Sequence, residues 1–224
     1  MSMRIELASP DEKTGLKWLT FSTLALDPRD STEKFCYPMA EAVYFVVGGY
    51  GIFSMMSSGA RFDYPVQQGT GLWLSDSAEH YLHNDGEGPL RCVCVVIKVT
   101  KKVQERGKEV QRRMVSTNDL PIEFVDQGGT MKVLFRGQAI GSERIDTVEY
   151  LATPPGGHKP EHYNQKIEGF VYFTRGSGTA AVGGEMKAFQ AGDLVSIPIG
   201  ARREYAAAPN AFVECFVLNV LTSG

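Results

Sequence analysis

The chain repeats itself at a spacing of 121 to 127 residues, and three blocks carry the repeat in the same order. Residues 41–51 read EAVYFVVGGYG and residues 168–178 read EGFVYFTRGSG: an acid, an apolar run, then a glycine turn. Residues 66–75 (VQQGTGLWLS) parallel 189–198 (FQAGDLVSIP), and residues 90–99 (LRCVCVVIKV) parallel 211–220 (AFVECFVLNV). The offsets are 127 for Glu41/Glu168, 123 for Gly69/Gly192 and 121 for Cys94/Cys215, a drift that differing loop lengths produce. Two homologous halves of about 100 residues, the size of a small domain, follow. They span residues 1–100 and 125–224.

Each half reads as strands. Alternating β-branched and aromatic residues dominate, and residues such as Asn84-Asp85-Gly86 and Gly183-Gly184 punctuate them as turns. Seven or more short strands per half without a long amphipathic helix predict an all-β chain of two sandwiches or jelly-roll barrels. Residues 101–124 form a charged connection, in which Val103, Gly107, Val110 and Met114 stand at the spacing of a short helix. Its basic cluster reads as a solvated face.

Composition narrows the partners. A net charge of −3 points away from nucleic acid and anionic membranes. The start of the chain lacks the apolar core of a signal peptide, and no apolar run approaches the ~20 residues of a membrane helix. A soluble cytoplasmic protein is the expectation. Cys36, Cys92, Cys94 and Cys215 have no zinc-type pairing and read as reduced core thiols, Cys92 and Cys94 sharing one face.

All four histidines (His80, His83, His158 and His162) lie in or beside the repeated segments. There the spacing resembles the cupin superfamily. That family's second motif is Gly, five residues, Pro-x-Gly, two residues, His, three residues, Asn. Gly192, Pro198 and Gly200 fall on it, with Arg203 at the His position. In the first half Gly69, His80 and Asn84 fall on it, with Ser75 and Ser77 in place of Pro and Gly. The first motif, His-x-His, three or four residues, Glu, six residues, Gly, is met by Glu41 and Gly48, with Phe35 and Tyr37 at the histidine positions. In the second half His162 and Asn164 stand there, followed by Glu168, and the gap to Gly176 is one residue longer than usual. The resemblance implies two tandem cupin barrels, a bicupin, that pairs as a homodimer.

It also implies a divalent metal ion (Mn, Fe, Zn or Ni) in the second barrel. If His162 points inward, residues two apart place His158, Asn164 and Glu168 on the same face, so His162, Glu168, His158 and Asn164 are the expected ligands. Arg203 cannot coordinate a metal, because its guanidinium stays protonated. Two readings stay open: Arg203 clamps a substrate carboxylate beside the metal, or it replaces the metal and pairs with Glu168. Tyr205 and Tyr172 are expected to position the substrate or donate a proton. The first barrel keeps Glu41 and His80, with Tyr37, Cys36 and His83 nearby in sequence, and reads as structural.

Residues 162–165 (HYNQ), 190–193 (QAGD) and 205–207 (YAA) are similar to (S)-ureidoglycine aminohydrolases, manganese bicupins. Of that family's metal set His162 matches one histidine, Glu161 lies one place off the acid, Lys166 stands at the second histidine and Arg203 at the glutamine. Residues 153–160 (TPPGGHKP) and 218–220 (LNV) are similar to bicupin uronate isomerases. The expectation is an enzyme, a metal-assisted hydrolase, isomerase or oxygenase acting on a small polar, anionic metabolite. The alternative is a metal-free binding or regulatory module with Arg203 in the metal's place. A third reading is a polar pocket that only stabilises the core.

Overall fold

The computed structural model describes residues 3–8, 18–57, 59–75, 78–100, 111–124 and 129–221, the side chains of Ser57, Phe124, Pro160 and His162 excepted. It divides into two units, Met1–Asn118 and Asp119–Gly224.

The first unit holds β1 (Met3–Ala8), β2 (Leu19–Leu26), β3 (Ala40–Gly48), β4 (Tyr50–Ser57), β5 (Ala60–Gln67), β6 (Thr70–Leu74), β7 (Glu79–His83), β8 (Leu90–Lys98) and β9 (Arg112–Ser116). One sheet runs β1-β2-β8-β3-β6-β9 and the other β5-β4-β7. The period of two along each strand sends one set of side chains inward. Ala42, Tyr44 and Val46 of β3 meet Phe53 and Met55 of β4, Leu82 of β7 and Cys92 and Cys94 of β8 in a single apolar cluster. Arg112–Ser116 pairs with β6, so the end of the charged connection is a strand of this sheet. The helix reading of that connection falls largely on residues 101–110, which lie outside the described residues; Met114, part of the same spacing, is in β9.

The second unit holds β10 (Glu123–Phe124), β11 (Thr130–Arg136), α1 (Gly137–Ile140), β12 (Ile145–Thr153), β13 (His158–His162), β14 (Ile167–Arg175), β15 (Ser177–Val182), β16 (Glu185–Gln190), β17 (Leu194–Ile197), β18 (Arg203–Ala207) and β19 (Val213–Leu221). Its sheets run β10-β11-β12-β19-β14-β17 and β13-β18-β15-β16. Val171 and Phe173 of β14, Val213, Cys215 and Val217 of β19, Ala180 of β15, Phe189 of β16 and Tyr205 of β18 fill the space between them. Cys92, Cys94 and Cys215 are buried free thiols, as expected, whereas Cys36 is exposed and lies outside any core.

The turn after β3 and its counterpart after β14 show how strictly the repeat holds. Gly49 and Gly176 both have a left-handed backbone, with φ of 88° and 85°. A Cβ on either would stand 2.4 Å from a carbonyl oxygen, that of Pro89 or of Phe212. Gly49, rather than Gly48, is therefore the structural counterpart of Gly176, and the glutamate-to-glycine interval is the same in both halves. Gly176→Ala combines a strained φ with a backbone clash, and a loss of about 2 kcal/mol is expected. Denaturant unfolding of the variant measures it.

Candidate functional site

In the first barrel His80 is buried to 1% exposure. Its Nδ1–H donates to the Ala78 carbonyl at 2.7 Å, which leaves Nε2 to accept from the Tyr44 hydroxyl at 2.8 Å. Phe35, Tyr37, Tyr44 and Phe53 surround the ring with centroid distances of 5.4 to 5.9 Å. Both nitrogens are thus engaged, and burial lowers the imidazole pKa to about 4, so the ring is neutral at pH 7. Glu41 does not join it. By alternation with Ala42 and Tyr44 it faces the other side of β3, where the Trp73 indole N–H reaches its carboxylate at 3.4 Å. Tyr37 packs near the ring, while Cys36 is exposed and His83 bonds Ser31 at 2.8 Å.

The second barrel keeps a polar end to its lumen. The inward face is set by register. Gly169 pairs with Asn219, Val171 with Val217 and Phe173 with Cys215 across β14 and β19. Thr147 pairs with Asn219, Glu149 with Val217 and Leu151 with Cys215 across β12 and β19. Lys159 pairs with Tyr205 across β13 and β18. Side chains on one face therefore run from apolar to polar. At one end Phe173 and Phe189 stack at 3.6 Å with Tyr205 edge-on at 6.1 and 6.4 Å. Toward the other end stand Lys159, Arg203, Glu149, Asn219 and Thr147. The free volume of the lumen is about 30 Å³, lined in part by Lys159, Arg203 and Tyr205.

The polar end is connected. Thr147 Oγ1–H donates to Glu149 Oε1 at 2.7 Å, and Asn219 Nδ2 donates to Thr147 Oγ1 at 2.9 Å and to Glu149 Oε1 at 3.3 Å. Burial depresses the Lys159 ammonium below the usual lysine value; Glu149 and Cys215 oppose that, and Arg203 adds to it. Burial likewise lowers the Arg203 pKa against the pull of Glu149, and the guanidinium stays charged. Tyr205 is raised, chiefly by burial, and shares a 2.8 Å hydrogen bond with Thr153 Oγ1. Cys215 is pushed up to about 12 by burial, which keeps it a thiol. The Arg203 side chain crosses to β14: a Cβ on Gly169 would fall 2.3 Å from its Nη1.

The expected site residues separate. Arg203 and Tyr205 line the lumen. His158, the neighbour of Lys159, turns the other way and bonds Glu204 at 3.3 Å. Glu168 and Tyr172 alternate with Gly169, Val171 and Phe173 and so face away from the lumen, and the carboxylate that acts on Arg203 is Glu149 rather than the Glu168 of the metal-replacing alternative. Partial burial raises the Glu168 carboxyl above its usual range. Asn164 is exposed in the loop before β14, where its Oδ1 accepts from the Lys166 amide at 2.9 Å. The His162 backbone pairs with Arg203, and its side chain lies outside the described residues. The sequence reading carried a period of two from His162 through to Glu168. A register shift between Lys159 and His162 and the exposed loop that follows break that period.

Sequence reasoning missed Lys159, Glu149, Thr147, Asn219 and Gly169. One signal was present: Asn219 is a lone amide in the apolar run that ends the closing strand, after Cys215–Leu218 and before Val220-Leu221.

The described lumen residues do not make up a metal-ligand set. Among the described residues no three His, Cys, Asp or Glu side chains are grouped as ligands. The lumen presents Lys159 and Arg203, two cations that repel a metal ion, with Glu149 and Glu204 as the nearby carboxylates.

Residues 150–219 match the family model for the cupin domain. Vicilin from Corylus avellana (hazelnut) superposes with a TM-score of 0.81 at 12% identity, over 98% of this chain and 80% of that one. A variant of Bacillus subtilis oxalate decarboxylase gives 0.77 at 12%, over 99% and 75%. The coconut allergen cocosin gives 0.76 at 14%, over 98% and 82%. No curated protein matches in sequence. Proteins as different as a decarboxylase and a vicilin share this architecture, so it fixes no activity. No helix among the described residues is long and apolar enough to cross a membrane. The repeat, the paired sheets of each unit and the structural likeness agree that the chain folds as two tandem cupin barrels, a bicupin.

Proposed function

We propose that the second barrel is a metal-free binding site for a small carboxylate-bearing metabolite, held in the lumen between Lys159 and Arg203. The observation that carries this reading is the pair of desolvated cations lining one cavity. Lys159 and Arg203 are partly desolvated there, and the nearby carboxylates are already engaged: Glu149 accepts from Thr147 and Asn219, and Glu204, which also lines the cavity, bonds His158. Two desolvated cations side by side favour an anionic group entering the lumen, which bonds both. The apolar end, closed by Phe173 and Phe189, receives the rest of a short carbon chain.

This reading takes up the metal-free alternative, with Arg203 at the position of the motif histidine. Within the fold, Arg203 pairs with the His162 backbone as His80 pairs with Phe35 in the first barrel. Titration calorimetry with two- and three-carbon monocarboxylates tests it. Saturable binding is expected, weakened roughly 10- to 100-fold by Arg203→Leu and by Lys159→Met, since hydrogen bonds to a charged group contribute about 1.5–3 kcal/mol. Binding that ignores both substitutions, or no binding, removes the reading.

A further inference from the structure

Asn219 sets a demand that the protein does not meet. It is 6% exposed, between Leu218 and Val220, both fully buried. Its amide orientation is fixed, because Nδ2 donates to Thr147 Oγ1 and to Glu149 Oε1. A flipped amide would aim Oδ1 at the Glu149 carboxylate, acceptor against acceptor. Oδ1 therefore faces away from that pair, and among the described residues it is a buried acceptor with no donor. Buried polar atoms in folded proteins are nearly always satisfied, so an orphan of this kind marks the place of a missing group.

That place adjoins the cations. The point a Cβ on Gly169 would occupy is 3.4 Å from Asn219 Oδ1 and 2.3 Å from Arg203 Nη1. One small region thus offers a cationic donor and an acceptor that lacks a donor. Its ligand must supply an anion and, next to it, a hydrogen-bond donor. The room is limited: the adjoining cavity, lined by Lys159 and Arg203, has a volume of about 30 Å³, so the ligand is short. A neutral donor is favoured over an ammonium, which Lys159 and Arg203 would repel.

We propose that the site selects short 2-hydroxycarboxylates, with the carboxylate on Arg203 and Lys159 and the 2-hydroxyl donating to Asn219 Oδ1. The proposal rests on the reading of the lumen as a carboxylate site and adds the donor that the ligand must carry. A site built to receive a hydroxyl discriminates against the analogue lacking it, because the buried acceptor is then left unpaired.

The test compares matched pairs, glycolate with acetate and lactate with propionate, by calorimetry and by the Asn219 side-chain amide signal in nitrogen-15 NMR. The hydroxylated member is expected to bind at least tenfold more tightly in each pair and to shift the Asn219 signal. Asn219→Leu is expected to erase the difference within each pair while residual binding still depends on Arg203. The comparison on the unaltered protein stands even if Asn219→Leu fails to fold. Equal affinity within both pairs, with binding still lost in Arg203→Leu, overturns the hydroxyl requirement and leaves the carboxylate site. Absence of binding by all four acids overturns both.

Discussion

Acidification from pH 7 to pH 4 is expected to remove about 3 kcal/mol from the stability of the first barrel through His80 alone. In the folded protein burial holds this imidazole at about 4, whereas a solvated histidine titrates at 6.5. Above the unfolded value both states are neutral and His80 has no pH-dependent effect. Below it the unfolded chain takes up a proton that the folded chain refuses, so stability falls with falling pH until the folded pKa is reached. The penalty arises because a second ring proton has no carboxylate to meet: Nε2 faces the Tyr44 hydroxyl inside the aromatic cage. His80→Gln removes the titration. Urea unfolding at several pH values, for the native chain and the variant, is the measurement. The gap between the two stabilities should narrow by about 3 kcal/mol from pH 7 to 4. Parallel pH profiles would refute the assignment of His80 as a buried neutral group.

Gly169→Ala is expected to weaken carboxylate binding in the second barrel about 100-fold, roughly 2.7 kcal/mol, while the fold persists. The added methyl would meet Arg203 Nη1 at 2.3 Å and Asn219 Oδ1 at 3.4 Å. The first contact is with the far end of a long, flexible side chain, which can swing away, so the fold tolerates the change. The binding site does not, because the methyl displaces the guanidinium and also occupies the space beside Asn219. The effect should therefore match or exceed that of Arg203→Leu, which removes the cation but leaves the space open. Calorimetric titration together with thermal unfolding separates the two consequences. Native affinity in a folded Gly169→Ala protein would show that ligands bind elsewhere.

The site and the fold were legible to different degrees. The repeat could be read because matched glycines and apolar runs recur at nearly constant offsets, and Gly49 and Gly176 face the same steric demand in both halves. Cys92 and Cys94 could be placed on one buried face from the strand period alone. The lumen could not be read in this way. Counting in twos from His162 assigned His158 and Glu168 to the interior, yet the register shift in β13 and the exposed loop before β14 change the face. Lys159 and Gly169, one residue away from each, take the interior positions.

The sequence by itself determined the two all-β halves, their equivalence and the arginine at the motif position, since period, turn chemistry and repeat are local properties of the chain. Which side chains share the lumen was decided by the tertiary structure. A one-residue slip inverts every side chain of a strand, and only the pairing of β12, β14 and β19, and of β13 with β18, fixes that choice. The meeting of Lys159, Arg203, Glu149 and Asn219 is a product of that register, because no two of them are near in sequence.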